Sequence, residues 1–282
     1  MNERGSNTSP FQSAIEGNFE FPLGKIIREG WKIYVSKLPS FLGFGILTVI
    51  INFFALLLIV MLMGLLVQIP LVGLLGLIGG YLVIFGFVFS LTGGIYLVCD
   101  KMQREEPVEF SEFFQGLRKL IPVGANKLIQ AIIIGIPVVA YVLTSDLAEL
   151  IISIDWESLS SLEEAQQIAE QTRPVSMVAL FPQMLVTAIF LFATPLILLG
   201  RLSFFSAMRI SARVFIKSVP GILALTLALT VLLVVVGWLL TLVGTILIFP
   251  LVYTITYAAY RYVFIGDQSS WDGKIDEIGE ED

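Results

Sequence analysis

The chain has 282 residues, 56% hydrophobic and 14% charged, against about 45–50% apolar and about 25% charged in an average soluble domain. With a mean hydropathy of +0.89 and its apolar residues gathered into long uncharged blocks, it is excluded from the soluble globular class and marked as a multi-spanning membrane protein. The single cysteine, Cys99, rules out an intramolecular disulfide and any multi-cysteine metal site, and the lack of histidine removes the commonest general base, metal ligand and pH switch.

Residues 1–20 are polar and rich in Ser, Asn and Gly. No charged segment leads into an apolar one, so they predict a disordered tail and no signal peptide. Phe21–Leu38 has helical periodicity, with Leu23, Ile27, Trp31, Tyr34 and Leu38 on one face and Lys25, Arg28, Glu29, Lys32 and Ser36 on the other. Pro39 marks its end. Ser40–Val67 carries no charge and is long enough to span a bilayer. After the turn Gln68-Ile69-Pro70, Leu71–Val98 returns, with Gly76 and Gly80 spaced for close helix packing.

Asp100–Lys119 is the first long charged loop. Inside it, in Glu109–Pro122, Phe110, Phe113, Phe114 and Leu117 recur at helical spacing. Leu120–Thr144 is a third span whose first turns hold Asn126, Lys127 and Gln130; Lys127 is placed to snorkel to the near interface. Residues 145–174 form an insert in which Ser160 or Ser161 with Glu163 or Glu164 makes a capping box for a helix through Gln171, closed by Pro174. Val175–Leu199 is the fourth span, with kinks expected at Pro182 and Pro195. Leu202–Pro220 is a basic amphipathic stretch. Gly221–Leu240 and Gly244–Ile265 are the fifth and sixth spans, joined near Thr241. The tail, residues 267–282, holds seven carboxylates and one lysine and is expected to be disordered.

The basic residues fall into alternate polar segments. The segments containing Lys25, Arg28, Lys32 and Lys37, then Lys101 to Lys127, then Arg201 to Lys217, then Arg261 and Lys274 share one side, and the other side holds only Arg173. The positive-inside rule then places both termini in the cytoplasm and the acidic insert 145–174 outside. The stretch Phe21–Pro39 overlays Leu202–Pro220 at a shift of 181, matching Arg28 to Arg209, Lys32 to Arg213, Tyr34 to Phe215 and Pro39 to Pro220. Pro122 falls near the midpoint. The expected fold is therefore an all-α membrane protein of six transmembrane helices. They form three parallel repeats of a cytoplasmic amphipathic helix plus a transmembrane hairpin, in one domain over 21–266.

The segments FSLTGGIYLVCDKMQREEPVEFSEFFQGL and RLSFFSAMRISARVFIKSVPG, with FPLVYTITYAAYRYVF near the end, resemble a diffuse family of uncharacterised bacterial polytopic integral membrane proteins. The pattern is similar in style to the membrane domain attached to some glycerophosphodiester phosphodiesterases. The resemblance covers about residues 21–266 and implies the bacterial cytoplasmic (inner) membrane. It transfers no catalytic residues, and the soluble phosphodiesterase part has no counterpart here.

Within the spans the polar candidates are Asn52, Asn126, Gln130 and Gln183, of which Asn52, near the middle of the first span, is the most suggestive intramembrane site; its simpler role is an interhelical hydrogen bond. Glu105 and Glu106 sit in a solvated charge run. Glu163, Glu164 and Glu170 lack the spacing of a calcium loop. Lys25, Arg28, Lys32, Arg209, Arg213 and Lys217 are the expected contacts for anionic lipid headgroups. The expectation is a non-catalytic scaffold or accessory factor, with no cofactor or metal and no nucleic-acid partner. Its partners are the lipid bilayer and a protein on the cytoplasmic face. The alternative is a carrier or channel for a neutral or lipidic solute.

Overall fold

Long apolar runs satisfy their backbone groups internally only as helices when water is excluded, and every described element is helical. The computed structural model of the protein describes residues 10–17, 19, 21–66, 70–145 and 162–266. In chain order these form α1 (Pro10–Glu16), α2 (Leu23–Ser36), α3 (Leu38–Leu66), α4 (Pro70–Gln103), a 3₁₀ helix (Phe110–Lys119) and α5 (Leu120–Thr144). There follow α6 (Leu162–Ile189), α7 (Ala193–Leu198), α8 (Phe204–Lys217) and α9 (Val219–Phe264).

Among the described residues, five stretches are long and apolar enough to cross a membrane: Leu38–Ala55, Phe110–Thr144, Arg173–Leu198, Val219–Val236 and Ile246–Phe264. The expected span Leu71–Val98 is not one of the five. It lies within the 34-residue helix α4, whose side chains are described only from Gly86 onward. The expected capping box at Ser160 and Ser161 and the acidic tail lie outside the described residues.

Three local expectations are corrected. Part of the N-terminal tail, α1, is a helix: Pro10 occupies its first position, Gly17 ends it with a φ of +87°, and Phe11 packs on Phe264 at 6.1 Å. The helix expected to close at Pro174 instead runs through Pro174 and Pro182 to Ile189; each proline deletes one backbone bond without ending the helix. The kink expected at Pro195 falls upstream of it, at Phe190–Phe192. A proline ring collides with the carbonyl four residues before it, here Leu191, so the helix breaks there and restarts with Pro195 in the first turn of α7.

The backbone of α9 is helical throughout its 46 residues, yet it is not straight. A Cβ added to Gly221 would lie 2.8 Å from Phe21, and one added to Gly30 would lie 2.5 Å from the Cα of Ile255. Phe21 and Gly30 are joined by about two turns of helix, which holds Gly221 and Ile255 within about 30 Å; a straight helix would separate them by about 51 Å. The chain therefore turns back between the two apolar stretches of α9. The second stretch, Ile246–Phe264, is the centre of the fold, with 67% of it buried. Pro250 leaves the Ile246 carbonyl without its helical donor, and Gly45 of α3 sits against that oxygen, 2.8 Å from the position of an added Cβ.

The shift of 181 recurs in the coordinates. Applied to α2 it gives the bounds of α8, and applied to the start of α3 it gives the start of α9. Buried Ile26, Gly30, Ile33 and Tyr34 map onto buried Ala207, Ser211, Val214 and Phe215. Phe41, Phe44, Gly45 and Thr48 map onto Ile222, Leu225, Thr226 and Leu229, all likewise buried. The 3₁₀ helix covers the same distance with fewer residues: ten residues at about 2.0 Å make about 20 Å, and fourteen at about 1.5 Å make about 21 Å. Behind it, buried Val123, Asn126 and Gln130 repeat the spacing of Phe41, Phe44 and Thr48.

Candidate functional site

The three short helices, α2, the 3₁₀ helix and α8, each seat on a longer helix through a small residue. Gly30 of α2 lies against Ile255 of α9. Gly116 of the 3₁₀ helix lies against Ser90 and Gly94 of α4. In α8 the matching residue is Ser211, whose hydroxyl donates to the Ile189 carbonyl at 2.8 Å and accepts from the Phe192 amide at 3.2 Å. Ser211 thereby bonds backbone groups freed by the break between α6 and α7.

The six expected headgroup contacts are all exposed: Lys25, Arg28 and Lys32 on α2, and Arg209, Arg213 and Lys217 on α8. Large apolar side chains are exposed on the same helices, Trp31 and Val35 on α2 and Phe205 and Ile216 on α8. The two sets stand on separate helices. The stem of Lys217 also lies against Gly17, 3.2 Å from the position of an added Cβ. Asn52 is exposed on α3 and donates to the Thr48 carbonyl of its own helix at 2.9 Å; no described polar group from another helix meets it.

Two polar groupings emerge instead. The first ties together the ends of α4, α9, α2 and the 3₁₀ helix. Asp100 accepts hydrogen bonds from the Tyr257 hydroxyl at 3.1 Å and from Arg104 at 3.1 Å. The buried Arg261 guanidinium donates to Gln103, Lys101 pairs with Glu112, and the Tyr262 hydroxyl donates to Glu29 at 2.9 Å. Burial raises the Asp100 carboxyl above its usual range, against the opposing pull of Arg104, Tyr257 and Arg261. The Glu112 hydrogen bond holds the Lys101 ammonium above its own usual range. A signal for this grouping exists in the sequence: Asp100 with Arg104, and Tyr257 with Arg261, stand four residues apart and so share helix faces.

The second grouping lies on α5. Gln130 donates to Asn126 at 3.0 Å, and Asn126 donates to Thr194 of α7 at 3.4 Å; all three are buried. Lys127, half-buried, donates to Gln130 at 3.4 Å and sits 4.8 Å from the centre of the Phe89 ring. A shift of 82 matches Asn126, Lys127 and Gln130 to Phe44, Gly45 and Thr48, which the shift of 181 matches to Leu225, Thr226 and Leu229. The matched positions elsewhere hold only the hydroxyls of Thr48 and Thr226 as polar groups, so amide and ammonium groups occur there on α5 alone among the described residues.

Glu105 and Glu106 are exposed, and Cys99 is buried. Among the described residues no group of three or more His, Cys, Asp or Glu side chains is arranged to hold a metal ion. Comparison of the chain with protein-family models, with curated proteins and with solved structures returns no match.

Proposed function

We propose that the chain is a non-catalytic integral protein of the bacterial cytoplasmic membrane, a scaffold or accessory factor that works through its cytoplasmic surface helices. It crosses the bilayer six times as three parallel repeats of surface helix plus hairpin, with both termini in the cytoplasm. The observation that carries this reading is the shared register of α2 and α8, buried on equivalent residues and exposed on equivalent basic ones. Exposed Trp31, Val35, Phe205 and Ile216 can enter the acyl boundary while the neighbouring Lys and Arg meet headgroup phosphates. Each basic residue near an anionic surface contributes about 1 kcal/mol. The same basic edges offer a protein partner its docking face.

A second reading, a carrier or channel for a neutral or lipidic solute, is favoured by the polar chain on α5. Flux measurements on reconstituted vesicles separate the two. The scaffold reading expects solute leakage no greater than in protein-free vesicles. Solute-specific flux that disappears in Asn126→Leu would replace it with the carrier reading.

A further inference from the structure

We infer that Lys127, Gln130 and Asn126 form a binding site for a phosphate-bearing anion, reached from the side of the bundle between α4 and α5. This inference rests on the packing of α5 and does not require the scaffold role. Three observations point the same way.

The first is charge. Within the apolar stretch Phe110–Thr144, no described carboxylate pairs with Lys127; its described neighbours are the Gln130 carbonyl oxygen and the face of Phe89. A cation near the end of an apolar span is satisfied by reaching the interface, by an opposite charge or by an anionic ligand. A neutral amide and an aromatic face compensate only part of a cation's desolvation cost.

The second is substitution within the repeat. Packing alone is satisfied at these positions by Phe44, Gly45 and Thr48 in one copy and by Leu225, Thr226 and Leu229 in another. The middle copy departs from them at all three positions and in one direction, supplying an ammonium and two carboxamides. These are donors suited to phosphate oxygens, and the ammonium selects an anion over a neutral solute.

The third is access. Lys127 is half-buried whereas Asn126 and Gln130 are buried, so the ammonium is the outer end of the group. Ile121, Ile132 and Ile136, along the same helix, are exposed. That exposed stripe lies at least about a third of a turn around α5 from Lys127, whose ammonium instead sits over Phe89 of α4, so the group opens at the seam between α4 and α5 and not on the stripe. Lys127 stands one and a half turns beyond Pro122, close to one end of the span, which is the depth of a headgroup and not of the bilayer centre.

The same chemistry would accept free phosphate, and the test separates the sources. Full-length protein is placed in nanodiscs of phosphatidylcholine alone or with phosphatidylglycerol, and lipid retained on release is measured by native mass spectrometry. Retention of phosphatidylglycerol is expected in the wild type and in Lys127→Arg. It should weaken about tenfold in Lys127→Met, the effect of one charge-assisted hydrogen bond. Gln130→Leu should weaken it as well. In phosphatidylcholine alone, added inorganic phosphate that raises the melting temperature of the wild type but not of Lys127→Met would support the site with a soluble anion as its occupant. The inference is overturned if Lys127→Met and Gln130→Leu both retain phosphatidylglycerol and respond to phosphate like the wild type. If retention is instead lost on changing Lys25, Arg28 and Lys32 together to Gln, the surface helices bind the lipid; the scaffold reading then stands and this inference falls. Should Lys127→Met fail to fold, Lys127→Gln and Gln130→Leu carry the same comparison.

Discussion

At Gly94 and Gly116 two backbones meet with no room for a side chain between them: a Cβ on Gly94 would fall 1.7 Å from the Phe113 carbonyl oxygen, and one on Gly116 would fall 2.1 Å from that of Ser90. Neither obstacle is the end of a flexible side chain, so the 3₁₀ helix itself must move. Gly94→Ala is expected to destabilise the protein by about 3 kcal/mol, the upper end of the usual cost of overpacking. Gly24→Ala is the control. It has open space around it and should be neutral or stabilising by up to about 1 kcal/mol. Melting in detergent with tryptophan fluorescence compares them; equal melting temperatures would contradict the close seat on α4.

Asp100 gives a second prediction at this scale. Its folded-state pKa lies above the ordinary 3.8 because it is buried. The folded protein therefore holds the proton more tightly than the unfolded chain. The stabilising contribution of the protonated form is fully present below 3.8 and is lost as pH rises through the raised folded value. Asp100→Asn cannot titrate. The stability of the wild type relative to Asp100→Asn should therefore rise as pH falls from neutral towards 4, in melting curves taken along that range. A difference independent of pH would show that Asp100 titrates as it does in the unfolded chain.

At the scale of elements, the helices over Phe21–Leu38 and Leu202–Pro220 were legible because a helix that buries one face and exposes the other repeats its apolar residues about every 3.6 positions; they correspond to α2 and α8. The helix over Phe110–Lys119 was harder to read. Its 3₁₀ winding places side chains every third residue, so a 3.6-residue pattern fits it only partly. A synthetic peptide of residues 202–220 should bind phosphatidylglycerol vesicles more tightly than its triple variant with Arg209, Arg213 and Lys217 changed to Gln. The difference should be about 3 kcal/mol, roughly a hundredfold in partitioning, and should shrink with salt. Equal partitioning of the two peptides would remove electrostatics from the role of α8. Ser211→Ala, by contrast, should disturb the break at Phe190–Phe192 and cost about 1–3 kcal/mol, because the Phe192 amide loses its buried partner.

For the whole molecule, the alternation of basic segments is a stronger constraint than any one span. A reporter fused after Ser160 should read as external and one fused after Gln268 as cytoplasmic; the reverse pair would invert the topology and place α2 and α8 on the wrong face for anionic cytoplasmic lipid. That prediction bears on the turn-back inside α9 too, since an uneven number of crossings after Ser160 is needed to bring Gln268 inside.

The sequence by itself determined what depends on transfer between water and lipid: the apolar runs, the short helices α2 and α8 and the sorting of Lys and Arg, but not every break, since the helix through Pro174 runs on to Ile189. Those quantities add up residue by residue and need no partner. Only the tertiary structure decided which polar residues face one another. Asn52 and Asn126 look alike in the chain, each an amide in an apolar run, yet one is exposed and bonded to its own helix while the other joins Gln130 and Thr194 in the core. For Asp100 and Tyr257, 157 residues apart, the spacing shows each residue's own helical neighbour but not that the two meet, because a hydrogen bond is short and directional and exists only once packing has brought its two ends together.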